Sequence, residues 1–167
     1  SPDTTYGRWG GRDGAEGGHS YAEDLFLQGQ KVVAVGYERS SPTTSSIMLA
    51  RFGVDGTKDT TFGGNNTGIA VYQYPGHVNT SAVAVVQESD DGFYVLGETS
   101  EFVGGARDVV ILKYTTDGLL DSSFGSGGAF LYESGYDKRA YDLTIQSNGR
   151  IIAVGSAKDS SDNENSL

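Results

Sequence analysis

Cysteine is absent from this chain of 167 residues. Its absence excludes a disulfide-stapled scaffold, a cysteine nucleophile and any thiolate metal centre. Proline occurs 3 times, with one methionine and one tryptophan, so the chain is neither collagen-like nor a proline-rich linker. Basic residues are few, 12 Lys and Arg against 22 Asp and Glu, for a formal net charge of -10. Nucleic-acid affinity rests on a basic face, so that class of partner is excluded. No apolar run approaches the ~20 residues of a membrane helix, and no membrane span is expected. The first residues show no basic stretch followed by an apolar one, so no secretory leader is expected within the chain.

Helical periodicity is lacking as well. Apolar residues do not recur at i, i+3 and i+4 over any window of about eleven residues. The glycine-rich stretches at 10–18, 63–68 and 125–128 contain no Gly-Lys-Ser/Thr. No Gly-x-Gly-x-x-Gly opens a helix, which removes nucleotide binding through either loop.

What the chain has is glycine, at 25 residues, and self-similarity. Asp3-Thr4-Thr5-Tyr6-Gly7 aligns with Asp59-Thr60-Thr61-Phe62-Gly63 and with Asp121-Ser122-Ser123-Phe124-Gly125. A second landmark follows each: Val32-Val33-Ala34-Val35-Gly36, Phe93-Tyr94-Val95-Leu96-Gly97 and Ile151-Ile152-Ala153-Val154-Gly155. A third occurs twice, Ile47 to Phe52 and Val110 to Tyr114, each before a turn, Val54-Asp55-Gly56 and Thr116-Asp117-Gly118. Three landmarks in one order define a repeat with a period of roughly 60 residues.

Within a repeat the pattern is β. Short runs rich in β-branched and aromatic residues flank Asp91-Gly92 and Asn148-Gly149, dipeptides favoured in type I′ hairpin turns. Gln28-Gly29-Gln30 takes that place in the first repeat. Strands are expected near 12–16, 21–27, 31–38 and 46–53, then 68–74, 81–88, 93–99 and 108–115, then 128–133, 139–146 and 150–157. The expected fold is all-β, with antiparallel four-stranded repeats in the manner of β-propeller blades. The repeats span 1–58, 59–120 and 121–157, the third lacking one strand, with a polar tail at 158–167 expected to be disordered or a cut loop.

The repeated residues carry structural and chemical readings. Asp55 with Asp59, and Asp117 with Asp121, place two carboxylates four residues apart around a glycine. Such pairs are calcium candidates, but calcium prefers six to eight oxygens, and a hydrogen-bonded turn accounts for two. Tyr6, Phe62 and Phe124 read as packing pegs between neighbouring sheets, with an exposed sugar platform as the alternative. Gly7, Gly63 and Gly125 accompany the pegs. Gly36, Gly97 and Gly155 end apolar strands, where close backbone approach or a bend explains glycine.

His19 and His77 are the two histidines, both in polar sequence that reads as exposed loop. Carboxylates such as Glu88, Asp90 and Asp91 would serve glycoside hydrolysis, yet among 22 acids a chance pair is expected. Tyr72 and Tyr74 alternate and so share a strand face. Asn65-Asn66-Thr67 and Asn79-Thr80-Ser81 match the N-glycosylation triplet, which a Ser- and Thr-rich chain produces by chance.

The segments Leu49 to Gly64 (LARFGVDGTKDTTFGG), Ile111 to Gly128 (ILKYTTDGLLDSSFGSGG) and Ile145 to Gly155 (IQSNGRIIAVG) resemble the delta-60 repeat of bacterial proteins. The resemblance implies a β-propeller-like scaffold in a secreted or cell-surface protein, and it carries over no catalytic residue and no cofactor. The expected function is a non-enzymatic module for binding or adhesion to a glycan or protein. A carbohydrate-active hydrolase or lyase using carboxylates is the alternative, and a structural spacer a further one. Three repeats do not close a propeller of four to eight blades. The expected partners are therefore the remaining blades of a parent chain or a second copy of this one.

Overall fold

The computed structural model describes residues 19–88, 92–158 and 164–166. The strand expected near 12–16, the landmark Tyr6-Gly7 and the Asp90-Asp91 pair lie outside the described residues. The described residues form strands and no helix.

Three antiparallel meanders follow one another. β1 (His19–Gln28), β2 (Lys31–Ser41), β3 (Thr44–Phe52) and β4 (Ile69–Tyr72) pair in sequence order as the first sheet. β5 (Asn79–Glu88), β6 (Gly92–Ser100), β7 (Asp108–Tyr114) and β8 (Ala129–Tyr132) form the second. β9 (Asp137–Ile145), β10 (Ile151–Lys158) and β11 (Glu164–Ser166) form the third. One parallel bridge, Ser45 to Asn79, joins the first two sheets.

Two expectations are corrected here. The strand near 68–74 does not open the second sheet: as β4 it closes the first, with Met48 opposite Val71. The strand near 128–133 likewise closes the second sheet as β8. A repeat pattern reveals its period but not its phase, because pairing across space is absent from the sequence. The polar tail also carries structure, since Glu164 to Ser166 pair with Lys158 to Ser156.

Apolar residues on both faces of the middle strands explain the stacking. Phe93, Val95, Val110, Leu112 and Tyr114 of the second sheet meet Val33, Val35, Ile47 and Leu49 of the first in one buried cluster. The alternate residues Tyr94 and Leu96 turn the other way and join Ala140 and Leu143 of the third. Successive side chains in a strand point to opposite faces, so β6 is apolar throughout its centre because it is covered on both sides. Each fully buried side chain of this size contributes roughly 2–3 kcal/mol.

The glycines of the second landmark sit opposite β-bulges. The register shifts between Ala22 and Asp24 facing Gly36, between Ala82 and Ala84 facing Gly97, and between Val154 and Gly155. In each sheet a carbonyl of the bulged strand, from Tyr21, Ser81 or Arg139, occupies the space a Cβ would need. A bulge bends and twists its strand, and only glycine opposite it leaves room.

The hairpin turns differ from expectation. Asn148 keeps a negative φ and only Gly149 is left-handed, at 79°. The Gly149 N–H donates to Gln146 O, and the Gln146 N–H to Arg150 O. That is a type I turn closed by a left-handed glycine, the three-residue hairpin loop, rather than type I′. The turns Gly53–Thr57 and Thr115–Leu119 repeat the same two bonds.

Candidate functional site

The repeated Asp-x-x-Phe segment forms the junction between the first two sheets. Phe62 is fully buried. It lies against the next repeat's turn, where a Cβ on Gly118 would stand 2.5 Å from Phe62 Cε2. Its neighbour Gly63 donates its N–H to Asp117 O at 2.9 Å. Arg51 covers the other side, its Cζ 4.9 Å from the ring centroid. Phe124, the equivalent ring one repeat on, is half-buried and meets Tyr94 edge-on at 5.4 Å.

Arg51 is buried and ties both repeats together. Its Nε donates to Asp59 at 2.8 Å, Nη1 to Gln28 Oε1 at 2.9 Å and to Thr116 O at 2.8 Å, and Nη2 to Thr61 Oγ1 at 3.1 Å. Asp59 also accepts from Lys31 at 2.6 Å and from the Thr61 hydroxyl at 2.7 Å. The Lys31 and Thr61 hydrogen bonds hold its carboxyl well below the usual carboxylate range. Lys113 takes Arg51's place in the next repeat, 3.0 Å from Glu88 and 3.4 Å from Asp121. Hydrogen bonding to Glu88 pushes its ammonium pKa up.

The four calcium candidates therefore have other partners. Asp55 accepts from the Thr57 N–H and hydroxyl, and Asp121 from those of Ser123. Those bonds lower both pKa values. Asp117 is exposed and lies 3.7 Å from Arg51 Nη2. Among the described residues no three His, Cys, Asp or Glu side chains gather in a metal-binding group.

The histidines part company. His19 is exposed at the start of β1. His77, expected on an exposed loop, is instead buried, edge-on to Tyr74 at 4.8 Å. Its Nδ1 lies 3.0 Å from Thr99 Oγ1, which donates to Asn79 O at 2.9 Å. Thr80 Oγ1 lies 3.1 Å from the same hydroxyl, so His77 belongs to a buried cluster of hydroxyls. It braces the loop. Tyr72 and Tyr74 pack against the core between the first two sheets, which explains them without a ligand.

A polar opening lies where the β2–β3 hairpin, the β6–β7 loop and β9 come together. A cleft of about 360 Å³ is lined by the β2–β3 hairpin, the start of β5, the end of β6, the β6–β7 loop and Arg139 of β9. Three arginines reach it: Arg39 from the first sheet, Arg107 from the second sheet's loop and Arg139 from the third. Two carboxylates pair with them: Asp137 accepts the Arg107 backbone N–H at 2.9 Å and lies 3.7 Å from Arg107 Nε. Glu98 accepts the Ala140 N–H at 2.9 Å and lies 3.5 Å from Arg139 and 3.6 Å from Arg107. Burial pushes the Glu98 carboxyl up, against the Ala140 hydrogen bond and the Arg139 charge. Ser45, Asn79, Ser81 and Ser100 add hydroxyl and amide groups to the walls.

Sequence reasoning missed both sets of basic residues. Arg51 and Lys113 had a signal: each occupies the same place in the third landmark, eight residues before a repeated aspartate. The cleft arginines had none, because each comes from a different sheet.

A family model described as a domain of unknown function (DUF5122) beta-propeller matches residues 90–124. The match covers β6, β7, the Thr115–Leu119 turn and the Phe124 peg. No curated protein and no solved structure matches the chain significantly. Among the described residues no helix is long and apolar enough to cross a membrane. The all-β sheets and the family match agree on one architecture, the stacked antiparallel sheets of a β-propeller.

Proposed function

We propose that this chain is a non-enzymatic repeat module of the delta-60 kind, from a secreted or cell-surface bacterial protein, which binds an acidic glycan in the cleft at its loop end. The observation that carries the reading is the convergence of Arg39, Arg107 and Arg139 on one opening of a chain with net charge -10. A positive concavity on a negative surface attracts anionic groups locally while the surface repels them elsewhere. Arginine forks match carboxylate and sulfate oxygens in two-point contact. The hydroxyls and amides beside them suit sugar hydroxyls.

The lining favours binding over turnover. Glycoside hydrolysis by the common route needs two flanking carboxyl groups, and among the lining residues only Glu98 carries one. Glu88, another sequence candidate, is engaged with Lys113 away from the cleft. The test is titration calorimetry against a uronic-acid oligosaccharide and its neutral analogue. Binding of the acidic sugar, unchanged by mass afterwards and weakened at least tenfold by Arg107→Ala with Arg139→Ala, is expected. Equal affinity for the neutral analogue would overturn the acidic-glycan reading. Release of shortened sugars, abolished by Glu98→Gln, would make it an enzyme.

A further inference from the structure

The junction between the second and third sheets is sealed near β9 and open beside β10. In the first junction β7 closes the corresponding place: Val110 and Leu112 share one buried cluster with Ile47, Leu49 and Ala70 of the first sheet. Alignment of the repeats on Gly36 and Gly97 makes Ile111, Phe130 and Tyr132 the counterparts of Leu49, Ala70 and Tyr72. Ala70 is 8 % exposed, whereas Phe130 is 49 % and Tyr132 43 % exposed. A cleft of about 400 Å³ is lined there by Ile111, Phe130 and Tyr132 on one side and by Ile151, Ala153 and Gly155 of β10 on the other.

The backbone beside the cleft is open too. β11 pairs with Ser156, Ala157 and Lys158, and among the described residues no strand pairs with that edge of β10 from Ile151 to Gly155. The second sheet shows which groups such an edge presents. Lys113 donates its N–H to Gly128 O on the β8 side. Backbone direction alternates along an antiparallel strand, so Val110, Leu112 and Tyr114 turn their N–H and C=O groups to β6. Their partners there are Gly97, Val95 and Phe93. The counterparts of those three in the third sheet are Gly155, Ala153 and Ile151, which therefore aim their amides and carbonyls at the open edge.

We propose that this edge is a β-augmentation site, which takes an extended segment of another polypeptide, apolar at alternate residues and antiparallel to β10. β7 is the template for its chemistry. Val110, Leu112 and Tyr114 bond β6 and send their side chains to the face that meets the preceding sheet. A segment set likewise along β10 places its alternate side chains in the cleft, against Ile111, Phe130 and Tyr132. Its backbone meets Ala153 and the residues on either side. Main-chain hydrogen bonds then supply affinity, and the pocket selects the alternate side chains. Arg139 is the one charged residue of the lining, and it already lies 3.5 Å from Glu98. A charge at an inward position of the segment would lose its water without gaining a partner, so those positions must be apolar. A second copy of this chain is the poorer occupant: its strands of matching pattern, β3 and β7, are each flanked by neighbours within their own sheet.

The probe is a fluorescein-labelled synthetic peptide with the sequence of Asp108 to Tyr114, titrated with the 167-residue chain and read by anisotropy. Saturable binding with a Kd of about 10–100 µM is expected. Val110→Ser with Leu112→Ser in the peptide should weaken it at least tenfold, and so should N-methylation of the amides at those two positions. N-methylation at Ile111 and Lys113, whose amides face away from β10, should change the affinity less than threefold. In the protein, Phe130→Asp with unchanged far-ultraviolet dichroism should also weaken binding at least tenfold; the peptide variants test the site without altering the fold. No saturation by about 1 mM chain overturns the proposal. Equal affinity of the two N-methylated peptides overturns it too, because strand pairing uses one edge of the peptide and not the other. A chain that dimerises in light scattering, loses the dimer on Phe130→Asp and takes up no peptide makes a second copy the occupant, and likewise overturns it.

Discussion

Gly118 lies against the tip of the Phe62 ring, so close that a methyl group there would stand 2.5 Å from Cε2. The peg of one repeat and the turn of the next are thus a single fitted contact. Gly118 also has φ 76°, a conformation that side chains resist. Gly118→Ala should cost about 2–4 kcal/mol, from the left-handed backbone and from overpacking. Phe62→Ala should cost about 3–5 kcal/mol through its cavity. The double variant should lose clearly less than the sum, since the alanine at 118 then meets empty space. Chemical denaturation of all four proteins reads this directly, and strict additivity would show that the two residues do not share a contact.

The clamp around Arg51 should govern acid stability. Asp59 has a folded-state pKa below the unfolded value near 3.8. Its stabilisation is therefore complete above pH about 4 and is lost as the pH falls from 3.8 toward the lower folded value. Asp59→Asn should lower the melting temperature at pH 7 and narrow the gap to wild type below pH about 3. Arg51→Ala should cost about 3–5 kcal/mol, because it leaves Asp59 with one fewer cation and takes one donor from Thr116 O, which keeps only the Gln28 amide. Arg51→Lys should recover part of that loss, as Lys113 already stands at the same place in the next repeat.

Tyr114 is a buried phenol whose hydroxyl has no hydrogen-bond partner among the described residues. Burial pushes its pKa above the ordinary tyrosine range. An unpaired buried polar group costs about 1–3 kcal/mol. Tyr114→Phe keeps the ring stacked on Phe93, now 5.4 Å away, and removes that cost. The variant should be at least as stable as wild type by thermal melting. A loss above 1 kcal/mol, on the order set by a typical hydrogen bond, would mean the hydroxyl has a partner in solution.

Chelation should leave the protein unaffected. Asp59 and Asp121 already face the cations of Arg51, Lys31 and Lys113. A calcium ion would have to displace them and still find six or more oxygens. Melting temperatures in millimolar calcium and in EDTA should agree to within a degree or so. A rise of several degrees with calcium would show that these carboxylates exchange their chain cations for the metal.

The fold class was legible because its causes are local and repeated. Alternating apolar residues around Val35, Leu96 and Val154 require strands covered on at least one face. Glycine opposite a bulge and an aromatic after Asp-Thr-Thr recur because every sheet meets the same packing problem. The turn type at Asn148-Gly149 was misread because a dipeptide preference does not set φ at both positions. The neighbouring strands did that.

What only the tertiary structure decided was grouping and convergence. Chain order did not reveal that Ile69 to Tyr72 close the sheet before them rather than open the one after, because periodic sequence is indifferent to where a sheet begins. Nor did it reveal that Arg39, Arg107 and Arg139 share one cleft, since their proximity follows from how three sheets stack. His77 looked like a loop residue and became a buried brace only when Tyr74 and Thr99 closed around it. The sequence by itself determined which residues must be buried and how often the pattern returns, since apolar periodicity is written along the chain. The stacking of sheets determined which polar residues meet, because that proximity is a property of space.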